Sequence, residues 1–124
     1  MISLYAQAWW YLIRFDIVLL SRGFPALYYS VKNHRLCKVA AISSQAELIV
    51  TVFEVACIWY PKQVRCLQRS AALTCMLRDR GVAAQMVIGT QKLPFKAHAW
   101  VEVNECVVSD KKYTPDMYAI LDRC

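Results

Sequence analysis

Two residue types in this chain can build a nucleophile–base pair: six cysteines, at 37, 57, 66, 75, 106 and 124, and two histidines, at 34 and 98. Cys66 is the best-placed thiol. Pro61 stops one helix, and Cys66 falls in the opening turns of the next. There the helix dipole and the unpaired N–H groups favour a thiolate, and the same N–H groups can hold the oxyanion of a tetrahedral intermediate. The ordinary alternative is a packed core cysteine. His98 lies within Phe95-Lys96-Ala97-His98-Ala99-Trp100-Val101-Glu102-Val103. An imidazole fixed on such a strand, facing a thiol on a helix, makes a thiolate–imidazolium pair. Alone it would be an ordinary strand histidine. His34, in Lys32-Asn33-His34-Arg35, reads as a surface residue of a polar loop.

A catalytic imidazole needs its second nitrogen held by a carboxylate or an amide. Asp110 closes the strand after His98, and Glu102, on the same strand face as His98, is the competing orienter. Asp116 and Asp122 lie farther along and read as solvated. Register decides between the partners. A two-residue turn at Asn104-Glu105 pairs 103 with 106 and sets Asp110 opposite Ala99, on the wrong face. A three-residue connection over 103–105 pairs 102 with 106 and brings Asp110 opposite His98. A Cys66–His98–Asp110 triad therefore predicts a three-residue loop or a bulge.

The elements that must position these groups follow from composition and pattern. With 124 residues, the chain makes a single domain at most. It is 58% hydrophobic and 19% charged with only three glycines, which excludes a disordered tail or linker. Fifteen basic residues against nine acidic ones give +6, scattered rather than gathered into a nucleic-acid stripe, a charge that favours an acidic peptide. Without a basic N-terminal segment leading an apolar run, no secretory signal is visible. No C-x-x-C pair suggests zinc, so mostly buried free thiols in a reducing cytosol are expected. Ala6 to Leu20 reads as a mostly buried or partner-facing helix, broken too often by charge to span a membrane, and closed by Gly23 and Pro25. Trp9, Trp10 and Phe15 pack on the second half by the default of large aromatics; the alternative is an exposed patch that docks a partner.

A second helix starts at Ser43 or Ser44, with a Ser44–Glu47 capping box, and runs to about Trp59. Residues 64–80 form a third helix, capped by Gly81. Strands follow at Val82–Gly89, Ala97–Val103 and Cys106–Ser109. The class is α+β: N-terminal helices, a helix bearing the nucleophile, then a small antiparallel sheet. Residues 1–60 form an apolar helical region and residues 61–124 the catalytic core.

Cys66-Leu67-Gln68-Arg69-Ser70, Leu77-Arg78-Asp79-Arg80-Gly81, Val87-Ile88-Gly89-Thr90 and Ala97-His98-Ala99-Trp100-Val101-Glu102-Val103 resemble the lasso-peptide leader peptidases. These are the B proteins of lasso-peptide biosynthesis, in the transglutaminase-like branch of the papain-like cysteine peptidases. The resemblance covers about residues 60–110. It implies a Cys66–His98–Asp110 triad, no metal or organic cofactor, and cleavage of a ribosomally made precursor that frees the core peptide's α-amine. It also implies a cytoplasmic setting and two partners besides the precursor (leader) peptide: a separate leader-recognition protein, since the chain resembles the split form, and an ATP-dependent lasso cyclase. The leader would carry Thr at its penultimate position. The residues name no second oxyanion donor beside the Cys66 N–H; Gln63 is a candidate only because its amide lies just upstream. A transglutaminase-like acyltransferase would use the same three residues to pass the acyl group to an amine. A non-catalytic leader-binding scaffold would not need Cys66.

Overall fold

The computed structural model describes residues 2–36, 43–92, 95–104, 106–108 and 118–124. Four helices come first: α1 Ile2–Ser21, α2 Phe24–Lys32, α3 Ser43–Trp59 and α4 Cys66–Asp79. Four strands follow: β1 Ala84–Lys92, β2 Phe95–Val103, β3 Cys106–Val108 and β4 Ala119–Arg123. They form one antiparallel sheet in the order β3-β2-β1-β4. The fold is α+β, as the pattern predicts.

α2 has no counterpart among the expected elements. Gly23 ends α1 with φ +80, a conformation that costs a Cβ-bearing residue dearly. Pro25 then sits in the first turn of α2, where its missing N–H is unneeded. The two residues that read as a stop therefore also start a helix. α4 ends as expected, in a Schellman turn: Gly81 has φ +84, its N–H bonds the Arg78 carbonyl at 3.1 Å, and the Val82 N–H reaches back to Leu77 at 2.9 Å. That use of the Val82 N–H delays β1 to Ala84. β4 is also unforeseen. It pairs with β1 along the edge opposite β2, with Leu121 bulged between Ile120 and Asp122. Tyr28 of α2 donates to Asp122, and this bond holds the Asp122 carboxyl below its ordinary range.

One core joins helices and sheet. Leu12 and Phe15 of α1, Leu27 of α2, Phe53 of α3 and Leu73, Met76 and Leu77 of α4 are fully buried. They meet Met86 and Val101 on one sheet face. Each such side chain contributes roughly 1.5–3 kcal/mol. Phe15 thus packs in the core, as expected of a large aromatic, whereas Trp10 is exposed. No helix among the described residues is long and apolar enough to cross a membrane.

Candidate active site

Cys66 is the first residue of α4 and is exposed. Its position is fixed from behind by Gln68. The Gln68 amide oxygen accepts the Arg65 N–H at 3.4 Å, and its amide nitrogen donates to the Leu12 carbonyl at 2.7 Å in a buried bond. The start of α4 is thereby pinned to the middle of α1. The loop before it is tied down at Asp16, which accepts from Lys62 at 3.1 Å and from the Tyr60 hydroxyl at 3.4 Å. Gln68 occupies the reach-back position of a capping box, but with Arg65 rather than Ser or Thr at the N-cap the sequence gives no signal for it.

His98 lies on β2 opposite Gly89 of β1. Alternation puts it with Trp100 and Glu102 on one sheet face, while Ala99 and Val101 face the helices. Its ring is boxed by two others, with centroids 6.0 Å from Trp100 and 5.5 Å from Tyr118. The Trp100 indole donates to Glu102 at 2.9 Å, and Arg123 reaches the same carboxylate at 3.4 Å. Glu102 is therefore held by the indole and a β4 arginine, which weakens its claim as orienter. Tyr118, twenty residues beyond His98, carries no local signal that could have announced it.

Cys66 and His98 are both among the residues lining one cavity of about 160 Å³, with Arg69 and Ser70 of α4 and Val108 at the end of β3, while the His98 ring itself packs with Trp100 and Tyr118 on the sheet face turned away from α4. Val108 ends the described part of β3, which pairs only with Val101–Val103 of β2. Gln63 does not line the cavity; that side chain belongs to a separate hollow beside Asp16 and Lys62.

The β2–β3 turn has two residues, not three: Val103 pairs with Cys106, and Asn104 takes the left-handed φ of +52 expected of it. The three-residue connection is thus corrected. Asp110 and Asp116, like the Ser44 side chain and Cys37, lie outside the described residues. His34 is also corrected. It is no loose surface group but bonds Asp79 at 2.6 Å, and Tyr11 donates to the same carboxylate. Burial and that carboxylate push the Tyr11 phenol far above its usual range.

Gly89 makes the aromatic box possible. A Cβ there would stand 2.8 Å from both Trp100 and Tyr118. Gly89→Ala is expected to cost roughly 1–3 kcal/mol by overpacking and to displace the rings around His98. Unchanged near-ultraviolet circular dichroism and an unchanged urea midpoint would refute this.

The described thiols divide by exposure, rather than being mostly buried: Cys66 and Cys106 are exposed, Cys57 and Cys124 half-buried and Cys75 buried, all unbridged. Burial raises Cys57 and Cys124 from 9.0 to about 11 and Cys75 to about 12. Iodoacetamide at pH 7.5 should therefore label Cys66 and Cys106 on the native protein and spare Cys75 until it unfolds, read by peptide mass mapping. The same three raised thiols set a sign for stability. Below pH 9 they are protonated whether folded or not, and as pH climbs from 9 towards 11–12 the unfolded chain loses protons first, so stability falls across that window.

No solved structure matches the chain. Over 56 residues it is 38% identical to the microcin J25-processing protein McjB of Escherichia coli. That match covers 45% of this chain and 27% of McjB, so the shared stretch is about a quarter of the relative's length. The sequence pattern of one family reaches much farther, over residues 11–122, and takes in α4, β1 to β3 and all but the last residue of β4. The chain belongs to the transglutaminase-like superfamily.

Proposed function

We infer that the chain is a cysteine peptidase that removes the leader from a ribosomally made lasso-peptide precursor. The observation that supports this best is the cavity shared by Cys66, at the start of α4, and His98, on β2. Superfamily membership and the likeness to a microcin-processing protein point to the same chemistry. The Cys66 sulfur attacks the carbonyl at the leader–core junction, forming a C–S bond. The first-turn N–H groups of α4 face the resulting oxyanion. His98 gives its proton to the departing amine, the C–N bond breaks, and the core peptide leaves with a free α-amine. Water, deprotonated by His98, then attacks the thioester and returns the thiol.

In this reading Asp110 orients His98. The two-residue turn means that an irregularity after Val108 must shift Asp110 by one position to reach it. Residues 61–124 form the catalytic core of one domain and residues 1–60 its apolar helical region. The partners are the precursor, a separate leader-recognition protein and an ATP-dependent cyclase that consumes the new amine, all in the cytoplasm.

The test mixes the chain with a candidate precursor and a leader-recognition protein and reads masses for wild type and Cys66→Ala. A cleavage product from wild type alone is expected. Product from both variants, or intact binding without product from either, overturns the peptidase in favour of a scaffold. The superfamily also contains the acyl-transfer reading, so a competing amine belongs in the mixture: a product extended by the amine mass would identify a transferase.

A further inference from the structure

α4 carries two buried hydroxyls that no described residue satisfies. Three other helical hydroxyls turn back on their own helix: Ser21 donates to the Ile17 carbonyl at 2.7 Å, Ser30 to Ala26 at 2.9 Å and Thr51 to Glu47 at 2.9 Å. Ser70 and Thr74, 4% and 0% exposed, make no such bond and have no other hydrogen-bond partner among the described residues. The other buried polar side chains are satisfied: Gln68 donates to Leu12, and Glu102 accepts from Trp100. A buried hydroxyl left unpaired costs free energy, and packing alone would be served as well by alanine and valine.

Ser70 lines the cavity that Cys66 lines, and Thr74 lies one turn farther along α4. Cys66, Ser70 and Thr74 are spaced four residues apart, so they form one row on the helix, each Cβ tilted towards the residue before it. Cβ atoms at that spacing stand about 5–6 Å apart, a gap that two O–H···O bonds of about 2.8 Å bridge through one water oxygen. The walls beside the row are apolar, with Val64, Leu73, Val101 and Val108. Arg69 also lines the cavity, but it reaches towards Glu54 of α3 at 3.9 Å. The two hydroxyls are therefore where a water finds its bonds, and a cavity of about 160 Å³ has room for it.

We propose that Ser70 and Thr74 hold the water that hydrolyses the thioester formed on Cys66. The inference rests on the peptidase reading, to which it adds the nucleophile of the second step. In that step the water oxygen bonds to the acyl carbon and one water proton passes to His98. The C–S bond breaks, the sulfur recovers the proton, and the leader departs with a carboxyl group. A water already held in the row beside Cys66 meets the thioester without the entropic cost of capture from solvent.

The probe is p-nitrophenyl acetate, which acetylates the exposed thiols Cys66 and Cys106 of the full chain without any precursor. Peptide mass mapping follows the loss of each S-acetyl group at pH 7.5, and Cys106, which does not line the cavity, is the internal reference. The Cys66 thioester should hydrolyse about tenfold faster than that on Cys106. Ser70→Ala and Thr74→Val should each remove most of that advantage and leave Cys106 unchanged. Thr74→Ser, which keeps the hydroxyl, should restore it. Hydroxylamine needs no held water and should strip both thioesters from every variant, and circular dichroism checks that the fold is kept. Equal hydrolysis at the two thiols of the wild type, or Ser70→Ala and Thr74→Val variants that deacetylate Cys66 at the wild-type rate, overturns the proposal and assigns the hydroxyls to packing. The peptidase reading fails separately: fast, hydroxyl-dependent loss from Cys66 in a chain that leaves the precursor uncut supports the water site and overturns the leader cleavage. Precursor cut by a chain whose Cys66 thioester is indifferent to both hydroxyls overturns the water site alone.

Discussion

On the proposed peptidase reading, precursor cleavage by a His98→Asn variant should fall about a thousandfold while the protein stays folded and Cys66 stays open to alkylation. The two halves of that expectation come from different parts of the structure. His98 is boxed by Trp100 and Tyr118 but belongs to an open cavity, so the smaller Asn leaves the sheet and its core face untouched. What it removes is a group able to give a proton to the leaving amine and take one from water, and positioned acid–base catalysis contributes about 10²–10⁴-fold. Single-turnover mass spectrometry measures the rate, and iodoacetamide labelling of Cys66 reports the thiol. A variant cleaving at the wild-type rate would remove His98 from the chemistry. A variant that neither cleaves nor labels Cys66 would show that His98 shapes the cavity instead.

The parts of this site that sequence exposed are those set by local rules. Pro61 and the apolar spacing after it placed Cys66 at a helix start, and alternation placed His98 on a strand with Trp100 and Glu102. Gly81 marked the end of α4 because a Schellman turn demands a positive φ. Nonlocal features stayed hidden. Gly23 and Pro25 carry the same signals whether a helix ends or another begins. β4 is five exposed residues with no alternation, visible only through its pairing with β1. His34 does lie in a loop but read as a free surface residue because its partners, Tyr11 and Asp79, are 23 and 45 residues away. The turn at Asn104 shows how finely the orienter depends on register: one residue more or fewer exchanges the faces of every side chain beyond it.

Replacing Arg78 with Ala should lower folding stability by about 3–5 kcal/mol, a large part of the roughly 5–15 kcal/mol that holds a domain. Arg78 ends α4 and spreads its guanidinium over four backbone carbonyls: Ala84 at 2.9 Å, Val31 at 2.6 Å, His34 at 3.2 Å and Cys124 at 2.6 Å. These belong to the start of β1, the end of α2 and the segment after it, and the residue after β4. One side chain therefore joins the helical layer to both strands at one end of the β1–β4 pair. Its loss takes a donor from the Ala84 and His34 carbonyls, while those of Val31 and Cys124 keep the His34 and Met86 N–H groups, and each charged hydrogen bond is worth about 1.5–3 kcal/mol, not additively. Lysine separates charge from shape, because an ammonium cannot reach four acceptors with the geometry of a planar fork. Arg78→Lys should recover less than half of the loss. Urea titration resolves both variants: with a slope of about 1–3 kcal/mol per molar, alanine shifts the midpoint down by at least about 1 M. Full recovery by lysine would mean that charge at the C-terminus of α4, not the fork, holds the layers together. An alanine variant as stable as wild type would mean that water replaces the guanidinium at no cost, and that packing alone closes the sheet onto the helices.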